Sequence, residues 1–152
     1  MAQTGNKRVL ICGAGIGGPT LAYWLSRYGW QPTLVEIAPA LRQGGYMIDF
    51  WGVGYDVAER MELIPRLQQV GYQFEQLTLQ NRHGRRIGGF DAGLLRKALN
   101  GRYLSILRTD LAREIYRTID GKVETIFGES VTAIDQDETE VRVAFKHAPP
   151  RT

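Results

Sequence analysis

The chain has 152 residues, of which 43% are hydrophobic and 23% charged, and carries a formal net charge of +3. That length allows one domain with its own core. The basic residues are scattered rather than gathered into a stripe, which argues against a nucleic-acid partner, and no apolar run approaches membrane-spanning length, which argues against a membrane partner. A single cysteine, Cys12, excludes an internal disulfide. The opening residues Met1 to Asn6 read as a loose tail without the long apolar segment of a secretion signal, so a reducing, cytoplasmic setting is expected.

Val9 to Cys12 is apolar without a polar break, as in a strand buried on both faces, and Cys12 is expected as a small core residue there. Gly13-Ala14-Gly15-Ile16-Gly17-Gly18 follows in G-x-G-x-x-G spacing. Gly13 permits a tight turn out of the strand. Gly15 leaves room for backbone to approach a pyrophosphate, and Gly18 lets a helix pack close to the strand. The free N–H groups at the helix start favour phosphate. Pro19 is compatible with the first helical turn, where its missing N–H has no intrahelical partner. Leu21, Trp24, Leu25 and Tyr28 mark one apolar face of this helix, and Gly29 stops it. Pro32 opens a second strand that ends at Glu36. A carboxylate there accepts both hydroxyls of an adenosine ribose and repels a 2′-phosphate. Strand, glycines, helix and acid in this order point to a dinucleotide.

Ala38 to Phe50 reads as a loop entering a short strand, with Arg42 and the Gly44-Gly45 pair placed to meet a phosphate; the alternative for Arg42 is a surface arginine before a turn. Tyr55 to Gln69 is helical, with Pro65 opening a second helix and Gly71 ending it. Phe74 to Gln80 and Arg85 to Phe90 form a hairpin whose basic tip, with His83, is read as a solvated turn. Asp91 to Leu99 is helical, with Leu94, Leu95 and Leu99 on one side. Tyr103 to Leu107 is extended. Thr109 is a candidate cap for a helix carrying Leu111, Ile115 and Ile119. Val123 to Phe127 is a strand parallel to the first two if that helix is its crossover. Two further strands, Val131 to Ile134 and Glu140 to Phe145, flank an acidic turn.

The glycine motif with Pro19, together with Glu36, Arg42-Gln43-Gly44-Gly45 and Ile106-Leu107-Arg108-Thr109-Asp110-Leu111, resembles the N-terminal part of the FAD-dependent monooxygenases of the aromatic-hydroxylase type. This family includes para-hydroxybenzoate hydroxylase and the tetracycline-inactivating monooxygenases. The resemblance implies an α/β class: a partial Rossmann-like FAD-binding fold with a parallel sheet, a β-meander over 130–146 and an inserted β-hairpin over 72–90 belonging to the substrate-side sheet. It implies that Gly13, Gly15, Ile16, Gly17 and Gly18 cradle the FAD pyrophosphate and that Glu36 holds the ribose. Arg42 and Gly45 would run along the cofactor, Arg108 would reach its flavin side, and Val131 would offer backbone groups to the adenine. Asp49 falls near the flavin, but no catalytic residue and no metal ligand is assigned.

The whole enzyme implied by the resemblance binds FAD, draws electrons from NAD(P)H, and hydroxylates an aromatic or similar small-molecule substrate with O2. The family is considerably longer, so the chain is expected to be a fragment. Its first strand would then have an unpaired apolar edge that favours self-association. Two alternatives stay open: part of a related FAD-dependent oxidase or reductase, and a truncated, non-catalytic nucleotide-binding remnant.

Overall fold

The computed structural model describes residues 7–152, so the expected tail over residues 1–6 lies outside it. In chain order the elements are β1 (Arg8–Cys12), α1 (Gly17–Arg27), β2 (Gln31–Glu36), β3 (Met47–Trp51), α2 (Val53–Arg60), α3 (Ile64–Val70), β4 (Gln76–Gln80), β5 (Arg86–Asp91), α4 (Ala92–Ala98), β6 (Tyr103–Leu107), α5 (Arg108–Arg117), β7 (Glu124–Phe127), β8 (Val131–Gln136) and β9 (Val141–Phe145). They fall into two units. The first comprises the chain up to Gln43 and from Ala112 to Thr152; the second runs from Gly44 to Leu111.

The first unit is built on a parallel sheet in the order β1-β2-β7. Ile11 lies opposite Leu34, and Val35 opposite Ile126. Strand alternation sends Leu34 and Val35 to opposite faces. Leu34 joins Ile11, Ala14, Ala22, Ile119 and Val123 in one cluster, and Val35 joins Val143 and Phe145 in another. Helical residues therefore cover one face and the β8–β9 pair covers the other. Leu34 is fully buried, and burial of such a side chain contributes about 1.5–3 kcal/mol. Among the described residues β1 pairs on one side only.

Four sequence expectations change here. The stripe Leu21, Trp24 and Tyr28 does not turn inward: Leu21 is 48% exposed and Tyr28 70% exposed. Helix α1 instead buries Pro19 and Ala22, with Leu25 and Tyr23 beside them. The small Ala22 lets the helix lie close to the strands, while Trp24 stacks on Tyr28 at 6.4 Å between ring centroids. Cys12 is exposed rather than buried. It is the last residue of β1, which among the described residues pairs on one side only. Thr109 is not a cap, because α5 already begins at Arg108. Leu94 is 66% exposed and takes no part in a core face of α4.

In the second unit β3 and β6 pair antiparallel, Met47 to Leu107 through Trp51 to Tyr103. Helices α2 and α3 cover one face of this pair. Phe50 meets Tyr55 at 6.1 Å between rings, and Leu104 presses on Gly71 so closely that a Cβ there would fall 2.4 Å from Leu104 Cδ1. Arg102 ties β6 to α2, donating to Asp56 and to both oxygens of Glu59 and lying 5.0 Å over the Tyr55 ring. Strands β4 and β5 form the expected hairpin. Its turn is shaped by Asn81, whose Oδ1 accepts from the amides of His83 and Arg85.

Glu129, buried in the turn between β7 and β8, gathers the C-terminal backbone of the first unit. Its carboxylate accepts from the amides of Ser130, Lys146, His147 and Ala148 at 2.6–3.1 Å. Desolvation raises its pKa, but these four amides outweigh that and hold it below the ordinary carboxylate value. A carboxylate with a depressed folded pKa adds stability above its unfolded pKa, and that stability is lost as pH falls through the folded value.

Two outcomes follow from this packing. A Cβ on Gly18 would sit 1.9 Å from the Gly13 carbonyl oxygen, whereas one on Gly17 meets nothing within 4 Å. Gly18→Ala is therefore expected to lower stability by about 1–3 kcal/mol or more, and Gly17→Ala to stay within about 0.5 kcal/mol, both read by urea unfolding. Glu129→Gln is expected to destabilise the chain at neutral pH and to flatten its loss of stability below about pH 4.5, near the ordinary carboxylate range. Thermal unfolding across pH checks this, and an unchanged acid limb would contradict it.

Candidate functional site

The site begins where β1 ends. Gly13 has φ +103°, a conformation open to glycine and rarely to other residues. Its N–H donates to the Val35 carbonyl at 2.7 Å, which fixes the turn against the neighbouring strand. Gly15 and Ile16 lie in the bend that follows, and α1 starts at Gly17. The start of this helix has no side-chain cap and no acid in its first turn, so its leading N–H groups are left for a ligand. Pro19 occupies that first turn, fully buried. The near contact of Gly18 with the Gly13 carbonyl is the close helix–strand approach expected of the third glycine. Open space stands where a Cβ would sit at Gly13 and Gly17.

Glu36 lies at the end of β2, across the turn. It is 8% exposed. Its Oε2 accepts from the Ala14 amide at 2.8 Å, and its Oε1 accepts from the Ala38 amide at 2.9 Å. The Arg42 guanidinium stands 4.0 Å from Oε1, with its side chain 71% exposed. Desolvation raises the pKa of Glu36, but the amides of Ala38 and Ala14 and the charge of Arg42 together bring it below the ordinary value. The group is thus an anion held in place. Each carboxylate oxygen can accept more than one hydrogen bond, so both oxygens retain capacity for a ligand's hydroxyl groups.

The first unit therefore brings Gly13, Gly15, Ile16, Gly17, Gly18, Glu36 and Arg42 to one end of its parallel sheet. Val131 opens β8 in the same unit and packs in the cluster of Val35. Gly45 and Arg108 belong to the second unit. There the Arg108 amide donates to the Tyr46 carbonyl at 3.1 Å. A Cβ on Gly45, whose φ is +142°, would stand 3.3 Å from the Thr109 methyl. Arg108 is the first residue of α5, where its charge opposes the helix dipole.

Two participants escaped the sequence reading, the backbone amides of Ala14 and Ala38. No side-chain signal marks them. Only the geometry that carries the acid back to the glycine turn reveals them.

No protein-family model matches the chain. A flavin-dependent monooxygenase from an unknown prokaryotic organism is 35% identical over 150 residues, covering 93% of this chain and 36% of that protein. An uncharacterized protein of Mycobacterium tuberculosis (strain H37Rv) is 33% identical over 146 residues, covering 95% of this chain and 39% of that protein. The crystal structure of the tetracycline destructase Tet(55) matches with a TM-score of 0.82 at 28% identity, covering 99% of this chain and 37% of that one. The chain spans little more than a third of the length of these proteins. Over that span the chain is similar to the corresponding part of flavin-dependent monooxygenases of the aromatic-hydroxylase type.

Proposed function

We propose that this chain forms an FAD-binding portion of a monooxygenase that uses NAD(P)H and O2 to oxygenate an aromatic or similar small organic molecule. The observation that carries this reading is the buried Glu36 carboxylate, held by the Ala14 amide beside an uncapped helix start. The residues present fit such a cofactor: the helix start has no side-chain cap and no acid in its first turn, and open space stands at Gly17 beside it.

Gly13 to Gly18 would then hold the pyrophosphate through backbone N–H groups and the helix dipole. Glu36 would accept from the adenosine ribose hydroxyls, and its charge would discriminate against a 2′-phosphate there. Arg42 would neutralise phosphate charge, and Val131 would offer backbone groups to the adenine. Gly45 and Arg108 would serve the ribityl and flavin side. Bound FAD supplies the electron transfer and oxygen activation. The residues of this chain bind and orient it, and no proton-transfer step is assigned to them.

The test is a titration of the purified chain with FAD, followed by flavin fluorescence, with NAD and NADP as competitors. Saturable FAD binding that NAD and NADP displace poorly is expected. Glu36→Ala should weaken it by about tenfold or more, the order of losing hydrogen bonds to a charged group. A folded chain that binds no FAD, or binds NAD equally well, would contradict the reading.

A further inference from the structure

A second buried carboxylate stands beside the proposed cofactor site, and the FAD reading gives it no role. Glu129 is 4% exposed and lies in the turn between β7 and β8, in the same unit as Glu36. The β2–β7 ladder ends at the pair Glu36 and Phe127. Two further bonds carry the contact past that point. The Glu129 amide donates to the Glu36 carbonyl at 3.0 Å, and the Gly128 amide donates to the Ala38 carbonyl at 2.9 Å. Ala38 is also one of the residues whose amide holds the Glu36 carboxylate. The turn therefore grips the backbone on both sides of Ile37.

The Glu129 side chain fixes the turn itself. Its Oε1 accepts from the amides of Ser130, Lys146 and His147, and its Oε2 from those of His147 and Ala148. Ser130 directly precedes Val131, the residue assigned above to the adenine. One carboxylate thus sets the backbone behind Glu36 and the backbone that leads into Val131. We propose that Glu129 is a positioning residue for the adenosine end of the cofactor, acting through the backbone of Glu36 and Val131. Burying a carboxylate is costly unless donors meet it, and here the donors are amides of the segments that frame the site. A glutamine offers one acceptor oxygen and turns the other position into a donor facing those amides. The turn must then shift, and the bonds to the Glu36 and Ala38 carbonyls carry the shift to the Glu36 carboxylate. The role toward adenosine rests on the FAD reading; the coupling of the turn to Glu36 does not.

The experiment measures ADP affinity by titration of the full chain, together with backbone amide exchange in the ligand-free chain. Glu129→Gln should weaken ADP binding by about tenfold, the size of one lost hydrogen bond to a charged group. In a Glu36→Ala background the same change should cost no more than about twofold, because residues that act through one another are not additive. Glu129→Asp keeps the charge and should bind ADP better than Glu129→Gln; it carries the same comparison against the unaltered chain if Glu129→Gln does not fold. Ile119→Val trims the core cluster on the opposite face of the sheet. It should leave ADP affinity unchanged, which separates positioning from loss of stability. In the ligand-free chain the Ala14 and Ala38 amides, which donate to the Glu36 carboxylate, should exchange faster in Glu129→Gln than in Ile119→Val. An unaltered chain that binds no ADP would sink the cofactor reading and leave the amide exchange to decide whether Glu129 positions Glu36. Unchanged ADP affinity in Glu129→Gln, a full further loss in the Glu36→Ala background, or unchanged exchange at Ala14 and Ala38 would overturn the proposal.

Discussion

The amide of Ala14 donating to Glu36 is the bond on which the site depends. It joins the turn after β1 to the last residue of β2, two points separated by 22 positions in sequence. Parallel strands end at the same edge of their sheet, and the helix that follows β1 starts at that edge, so a ligand crevice forms outside their carboxyl ends. Burying a carboxylate there is costly unless donors meet it. Ala14 and Ala38 supply those donors. Gly18 adds the second constraint, since only the absence of a Cβ lets α1 begin against the Gly13 carbonyl. A charge at the strand end and open amides at the helix start are therefore produced by the same turn.

The first unit supports this arrangement from behind. The backbone carbonyl of Glu36 accepts from the Glu129 amide at 3.0 Å, and the Ala38 carbonyl accepts from the Gly128 amide at 2.9 Å. Glu129 in turn holds residues 146–148 by their amides. Near the C-terminus Arg151 makes two bonds to Glu124 on β7 and its backbone pairs with Val143. Carboxylates in this unit act mainly as acceptors for backbone and guanidinium donors. The second unit uses the same chemistry: Asp49 Oδ1 accepts from the hydroxyls of Tyr103 and Ser105.

Much of this was legible in the sequence. The unbroken apolar run, the glycine spacing and the acid at Glu36 located β1, α1 and β2, and the register of β2 with β7 agrees with a crossover helix ending near Ile119. Pro65 and Gly71 bounded α3 correctly. Periodicity misled for α1, because it counts large apolar side chains and the helix packs by its small ones. Leu21, Trp24 and Tyr28 form a stripe by spacing, yet Ala22 and Pro19 are what the core accepts. Cys12 shows a related limit: an apolar strand residue is buried only if something covers its end of the strand. The Asp49 cluster was invisible for another reason. Asp49 lies more than fifty positions from Tyr103 and Ser105 and meets them only through strand register.

The most direct test of the central claim is to titrate the chain with ADP and map the perturbed backbone amides. ADP carries the ribose and the pyrophosphate without the flavin, so it isolates the glycine turn and Glu36. Saturable shifts centred on residues 13–18 and on Glu36 and Ala38 are predicted. Binding that leaves these amides unmoved, or a folded chain that does not bind ADP, would contradict a cofactor site at this turn.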